Sequence, residues 1–187
     1  MNLSPEIVLE TQRCRLRIIQ REDIPFVFSA TRYEGFNDGM LWDAPDTEAE
    51  LIEPYENGLI AWRDRQSYSF TICRRFDDEP LGRINIRLES DKVWTIGFWL
   101  HPKEQGKGYM TESVTAILRL GFETLDAEII QAYYAVWNVK SGNVLRRVSM
   151  SFVEHISQGF KKKGEWVEEN KLNISKQEWQ ELQQQPY

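Results

Sequence analysis

The sequence predicts an α+β fold, a single domain over 1–187 in which a twisted, mostly antiparallel sheet is flanked by helices. Three observations lead there. Short runs with two-residue alternation recur along the chain, as half-buried strands require. Longer stretches with a 3.6-residue apolar stripe are inserted between them. Neither an internal repeat nor a linker interrupts the 187 residues, a length that suits one core.

Taken in order, "IVLETQRCRLRII" (7–19) alternates about Cys14, Leu16 and Ile18 and reads as one strand. "REDIPFVFSATRYEG" is a helix with Asp23 near its start and Pro25 in its first turn. After the loop "FNDGMLWDAP", Asp46 is the predicted N-cap of a second helix, with Glu48 and Glu50 in the first turn. That helix carries Leu51, Ile52, Tyr55, Leu59, Ile60 and Trp62, and Pro54 and Gly58 predict a kink or two short pieces. "SYSFTICRR" and "LGRINIRLE" form a hairpin about "FDDEP". "KVWTIGFWLHP" is a third strand, in which Gly97 marks a bulge or a close backbone approach. Thr111 to Leu125 is helical, "EIIQAYYAVW" a strand, and "KSGNVLRRVSM" a shorter helix. "FKKKGEWVEENKLNIS" is a strand pair about Lys163-Gly164, and "KQEWQELQQQPY" a helical turn with a tail.

Composition removes several classes. Apolar residues make up 41% and charged residues 28%, an ordinary globular balance. No apolar run approaches a membrane span, and the N-terminus lacks the pattern of a secretory signal. Cys14 and Cys73 read as reduced thiols, which fits a cytoplasmic protein. With two histidines they offer no zinc spacing, so no metal is expected. A net charge of −6 argues against a nucleic-acid surface and suits a positively charged partner.

The stretch "HPKEQGKGYMTES" (101–113) is the chemically informative one. A strand, a glycine-rich turn and a helix start follow one another there. Glycines let the backbone approach an anion, and a helix N-terminus offers unpaired N–H groups. On its own "GKG" is weak evidence, and a plain turn is the favoured reading. It fits neither GxxxxGK[ST], because Gly108 follows Lys107, nor GxGxxG, because Met110 and Thr111 follow.

A third pattern does fit. Gln105-Gly106-Lys107-Gly108-Tyr109-Met110 resembles the Q/RxxGxG/A loop of the GNAT N-acetyltransferases. "LETQRCRLR" (9–17), "IGFWLHPKEQGKGYMTES" (96–113), "NVKSGNVLRR" (138–147) and "KKKGEWVEE" (161–169) resemble successive segments of the RimJ/RimL-like branch, the ribosomal-protein N-terminal acetyltransferases. The resemblance covers almost the whole chain. It implies a sheet splayed at one place, with acetyl-coenzyme A in the opening between "WTIGFWL" and "IIQAYYAV".

The same resemblance assigns site residues. Amides from Gly106 to Thr111, including Tyr109 and Met110, would hold the pyrophosphate beside Gln105; Lys107 either adds charge or is solvated. Backbone groups of Phe98, Trp99 and Leu100 would pair with the pantetheine arm and polarise the thioester, while their side chains read as core. Asn138 would contact the coenzyme arm or cap the following helix. Ser141 is the candidate general acid for the leaving thiolate, or merely a helix-start residue, and Asn143 is a further coenzyme contact.

Three departures stand out. Met110 occupies a position where a small residue is usual. Ser149 stands where the branch has glycine after a helix, at about 1 kcal/mol if the backbone there is left-handed. Thr95 replaces a glutamate that draws a proton in relatives. An α-amine, with a pKa of ~7.8, is about a quarter neutral at pH ~7.4, against about 0.1% for a lysine amine of pKa ~10.4. A site without a strong base therefore leans towards protein N-termini or small amino-acid-like amines. Glu34, Asp38 and Asp43 in the early loop either supply a carboxylate or are solvated. The expectation is direct acetyl transfer to a primary amine, with coenzyme A as product. A non-catalytic acyl-coenzyme A sensor on the same fold is the alternative. Dimers are common in the branch, which leaves a homodimer open.

Overall fold

The computed structural model describes residues 3–184 and contains one eight-stranded sheet and five α-helices among them. The strands are β1 (Val8–Glu10), β2 (Cys14–Ile18), β3 (Ser67–Arg74), β4 (Pro80–Ser90), β5 (Val93–Leu100), β6 (Ile129–Ala135), β7 (Ser151–Lys162) and β8 (Glu165–Ser175). The helices are α1 (Ile24–Thr31), α2 (Ile52–Arg63), α3 (Tyr109–Glu123), α4 (Val139–Arg147) and α5 (Lys176–Gln184). Strand order is β1-β2-β3-β4-β5-β6-β8-β7, and only β5 and β6 run parallel. Part of the expected tail, 185–187, lies outside the described residues.

Cross-strand register explains the two faces. Leu16, Ile72, Ile84, Ile86 and Ile96 project to one side and are buried with Val114, Ile117 and Leu118 of α3. Phe122 of α3 stacks on Trp179 of α5 at 5.8 Å, which ties the last helix to the same core. The opposite face carries a smaller cluster, in which Ile24, Val27 and Leu51 pack with Phe26, Tyr55 and Trp99. α1 and the start of α2 therefore cover the other side of the sheet.

Several local expectations change. The single strand over 7–19 is two, because Thr11 turns the chain: its N–H donates to Cys14 O at 2.8 Å, and Cys14 N–H donates to Thr11 Oγ1 at 2.8 Å. The N-cap before α2 is Thr47 rather than Asp46; Glu50 accepts from the Thr47 N–H at 3.0 Å and closes a capping box. Pro54 and Gly58 do not break α2, which follows a 3₁₀ turn over Glu48–Leu51 without interruption. Pro54 sits in the first turn, and a Cβ on Gly58 would lie 2.7 Å from Ile19 Cδ1, so glycine is there for a close approach. The β4–β5 register runs through Gly97 without a shift. What comes close to it is the Asn85 side chain, whose Oδ1 accepts from Gly97 N–H at 2.9 Å. The last segment is a nine-residue helix rather than one turn.

Candidate functional site

The sheet opens between its two parallel strands. β5 and β6 pair from Val93↔Ile129 to Ile96↔Ala132 and no further. Past that point β5 continues along β4 to Leu100, and β6 continues along β8 to Ala135. Strand alternation decides what faces the gap. His101 N–H donates to Leu81 O at 2.8 Å, in register with Gly82↔Leu100. Odd-numbered residues of β5 therefore turn their backbone groups to β4, and Phe98 and Leu100 turn theirs to the opening. Leu100 O already accepts from Gln105 Nε2 at 3.4 Å.

Trp99 requires a correction. A Cβ on Gly82 would fall 2.2 Å from Trp99 O, so that carbonyl points at β4 and its backbone is not available to a ligand in the gap. Its side chain packs, as expected, 5.8 Å from the Phe26 ring and edge-on to Phe36 at 5.3 Å.

The glycine loop ends β5 and starts α3. Gly106 and Gly108 both have left-handed φ, +78° and +85°. Nothing lies within 4 Å of a Cβ built on Gly106, whereas one on Gly108 would meet Arg13 Nη2 at 2.9 Å. Glycine is thus favoured for conformation at both, and at the second a side chain would also displace the Arg13 guanidinium. The first N–H groups of α3, on Tyr109, Met110 and Thr111, have no intrahelical partner and sit at the positive end of the helix dipole. The Met110 side chain is buried in the main core, 5% exposed, so its bulk points away from the loop and its amide is unaffected. Lys107 is partly neutralised by Glu104 at 3.0 Å, and Lys140 Nζ donates to Gln105 Oε1 at 3.2 Å. The residues present fit a pyrophosphate: open amides, left-handed glycines and two nearby lysines.

On the other side of the gap, Asn138 caps α4. Its Oδ1 accepts from Ser141 N–H at 3.2 Å, and its N–H donates to Ala135 O at 2.7 Å. Its carbonyl oxygen is therefore engaged in starting the helix. The Ser141 hydroxyl is half-buried and has no hydrogen-bond partner among the described residues; Asn143 is exposed. α4 packs closely because Gly142 faces the Tyr134 ring, and the Tyr134 hydroxyl accepts from Arg146 Nη2 at 2.8 Å.

The loop after α1 bridges the gap. Phe36 meets Trp99 of β5, and a Cβ on Gly39 would lie 3.1 Å from the Trp137 ring beyond β6. Lys162, at the tip of the β7–β8 hairpin, holds the loop by donating to Met40 O at 3.1 Å, Trp42 O at 2.7 Å and Asp43 Oδ1 at 2.8 Å. That hydrogen bond and charge hold the Asp43 carboxyl below its ordinary range, so Asp43 is a poor proton acceptor. Asp38 lies 3.9 Å from Lys163 Nζ, and Glu34 is exposed.

Thr95 is buried and accepts from Gln131 Nε2 at 3.2 Å, while its Oγ1 donates to Glu89 at 3.3 Å. Glu89 was not singled out from the sequence; it sits beside a bulge in β4, and nothing in its local pattern distinguishes it. His101 was also missed. It is buried between Phe26 and Tyr33, and burial pushes its pKa down.

Comparison with known proteins agrees with this geometry. Residues 13–151 match the family described as Acetyltransferase (GNAT) domain. The chain is 28% identical over 111 residues to the uncharacterized N-acetyltransferase YnaD of Bacillus subtilis, a match covering 59% of this chain and 65% of that protein. It thus spans just under two thirds of that curated relative. Among solved structures, a RimL ribosomal alpha-N-protein acetyltransferase in complex with coenzyme A superposes with a TM-score of 0.82 at 16% identity, covering 90% of this chain and 98% of that one. A spermidine N-acetyltransferase from Vibrio cholerae, in complex with coenzyme A and spermine, gives 0.79 at 17% identity, covering 91% and 99%. At these identities the likeness is one of fold. The match over 13–151 takes in the opened sheet, the glycine loop and α4, and by it the chain belongs to the GNAT acetyltransferase family.

Proposed function

We propose that the protein transfers acetyl from acetyl-coenzyme A directly to a primary amine, with an α-amino group, on a protein N-terminus or a small molecule, as the favoured acceptor. The observation that carries this is the opened β5–β6 junction beside left-handed Gly106 and Gly108 at the start of α3. Bound coenzyme supplies the acetyl group as a thioester. The amides of Tyr109, Met110 and Thr111 take the pyrophosphate, as a helix N-terminus does. Phe98 and Leu100 offer backbone groups to the arm in the manner of an added strand, and a Phe98 or Leu100 N–H aimed at the thioester oxygen polarises it. Ser141 Oγ, uncommitted among the described residues, passes its proton to the departing thiolate and regains one from the amine nitrogen, which becomes positively charged as it attacks.

Neither cysteine competes as a nucleophile. Cys14 and Cys73 are fully buried, burial raises both thiols, and that of Cys73 is pushed up to about 11. Thr95 cannot serve as a strong base, which favours an amine already partly neutral near pH 7.

The test is thiol release from acetyl-coenzyme A across a panel of N-terminal peptides, free amino acids and polyamines. Turnover with α-amines, together with a Ser141→Ala variant that loses about 100-fold or more in kcat while binding coenzyme normally, supports the reading. Coenzyme binding without turnover on any amine would favour an acyl-coenzyme A sensor.

A further inference from the structure

A row of side chains crosses the sheet beneath α1: Arg17 on β2, Thr71 on β3, Arg83 on β4 and Trp99 on β5, each in register with the next. Asp23, at the start of α1, lies over this row. Its carboxylate accepts from Arg17 Nη1 at 3.0 Å and Nη2 at 2.7 Å, from Thr71 Oγ1 at 2.6 Å and from Gln20 N–H at 2.9 Å. Three of these bonds reach Oδ2 and one reaches Oδ1. Arg83 is left out: its Nε and Nη2 are buried without a partner. The row therefore holds two guanidinium groups and one carboxylate, a net charge of +1 in a desolvated place. An arginine does not shed this charge at physiological pH, and an unpaired buried ion is costly. Natural structures keep few such groups without a use for them.

The position suggests the use. Arg83 shares its sheet face with Trp99, one strand away from the groups of Phe98 and Leu100 that line the opening. Another buried, unpaired atom lies on the same side: Asn37 Oδ1, next to Phe36, whose ring packs on Trp99. One is a donor suited to a carboxylate, the other an acceptor suited to an amine.

We propose that Arg83 anchors a carboxylate of the acceptor, so that the acceptor carries both an amine and a carboxylate, as an amino acid or an acidic N-terminal residue does. This rests on the acetyltransferase reading. The fork geometry of arginine matches a carboxylate with two parallel hydrogen bonds, and the missing counter-charge arrives with the substrate. With Nε and Nη2 already out of water, the guanidinium gains the interaction at a reduced desolvation cost.

Matched acceptors test it at saturating acetyl-coenzyme A: free amino acids against their decarboxylated amines, and aspartyl dipeptides against asparaginyl ones. The first pair reads an α-carboxylate, the second a side-chain carboxylate. In at least one pair the carboxylated member is expected to be preferred by about 10- to 100-fold in kcat/KM, the range for a hydrogen bond to a charged group. Arg83→Met should abolish that preference through KM, leave kcat within about twofold and leave the uncharged member unchanged, with Arg83→Lys intermediate. Arg83→Met should also melt no lower than the parent, since it removes an unpaired buried charge. Equal use of both members by the parent, or an Arg83→Met protein that loses both equally, overturns the anchor and leaves the acetyltransferase reading standing. If no acceptor turns over, that reading fails by itself; the anchor is then judged by melting, where carboxylated amines must raise the melting temperature of the parent but not of Arg83→Met.

Discussion

Arg13 clamps Glu112 to the glycine loop: its Nε donates to Glu112 Oε1 at 2.5 Å, and its Nη1 donates to Lys107 O at 2.9 Å. The contact joins the turn between β1 and β2 to the first turn of α3, and Thr11 Oγ1 adds a bond to Glu112 Oε2 at 2.9 Å. Arg13 also lies over the Tyr109 ring at 4.9 Å. A carboxylate at a helix N-terminus is favourable in isolation, but here it sits where a pyrophosphate is expected. Arg13 cancels that charge and holds the Lys107 carbonyl.

Arg13→Met should consequently act on coenzyme affinity more than on stability. The pair is partly exposed, so the stability loss is expected below about 1 kcal/mol. The KM for acetyl-coenzyme A should rise about 3- to 10-fold, with kcat nearly unchanged. Adding Glu112→Gln removes the stranded carboxylate and should restore part of the loss. Steady-state kinetics on the two variants check this, and a KM that stays at the parental value in Arg13→Met refutes the clamp.

Much of this was legible in the sequence, for local reasons. Period-two alternation marks β3 to β6, and "QGKGYM" between a strand and a helix marks the loop. What escaped depends on pairing between distant segments. That Trp99 turns its backbone away from the gap follows from the β4–β5 register, which no strand shows alone. Lys162 reaches Trp42 across 120 positions, and in sequence it is one of three adjacent lysines. The Arg17–Thr71–Arg83–Trp99 row needs three registers at once. Met110 was legible as a departure but not as a harmless one, because the direction of its side chain is set by how α3 rolls onto the core. Asn138 had two readings, and the helix cap is the one its side-chain oxygen serves here.

Ser149 meets the condition on which the cost depends. It has φ +64°, and the end of α4 closes as a Schellman turn: Ser149 N–H donates to Arg146 O at 3.0 Å and Met150 N–H to Leu145 O at 3.1 Å. The left-handed residue of that turn favours glycine. Ser149→Gly should stabilise the protein by about 1 kcal/mol, a melting rise of about 2–4 °C for a chain of this size. Scanning calorimetry of the single variant is sufficient. A decrease would mean that the serine side chain makes a compensating contribution.

Asp23 sets an acid limit on stability. Burial alone would raise its carboxyl, but hydrogen bonds from Arg17, Thr71 and the Gln20 N–H outweigh that and hold it below the ordinary 3.8. A depressed native pKa means stability that is fully present above the unfolded value and is lost as pH falls through the native one. The parent should therefore lose stability steadily below about pH 4, near the unfolded carboxyl value. Asp23→Asn should flatten this part of the acid limb and lower stability near pH 7 by about 3–5 kcal/mol, because it strands Arg17 beside Arg83. Arg83 lies in the field of the carboxylate that Arg17 binds, so the losses should not add. In an Arg83→Met background the same Asp23→Asn change should cost less, since one of the two stranded charges is already gone. Denaturant melts of the four proteins from pH 7 down to about pH 3 measure the coupling. A cycle with no coupling would show that Asp23 and Arg83 do not share a field, and that the charge on Arg83 is balanced by some other group.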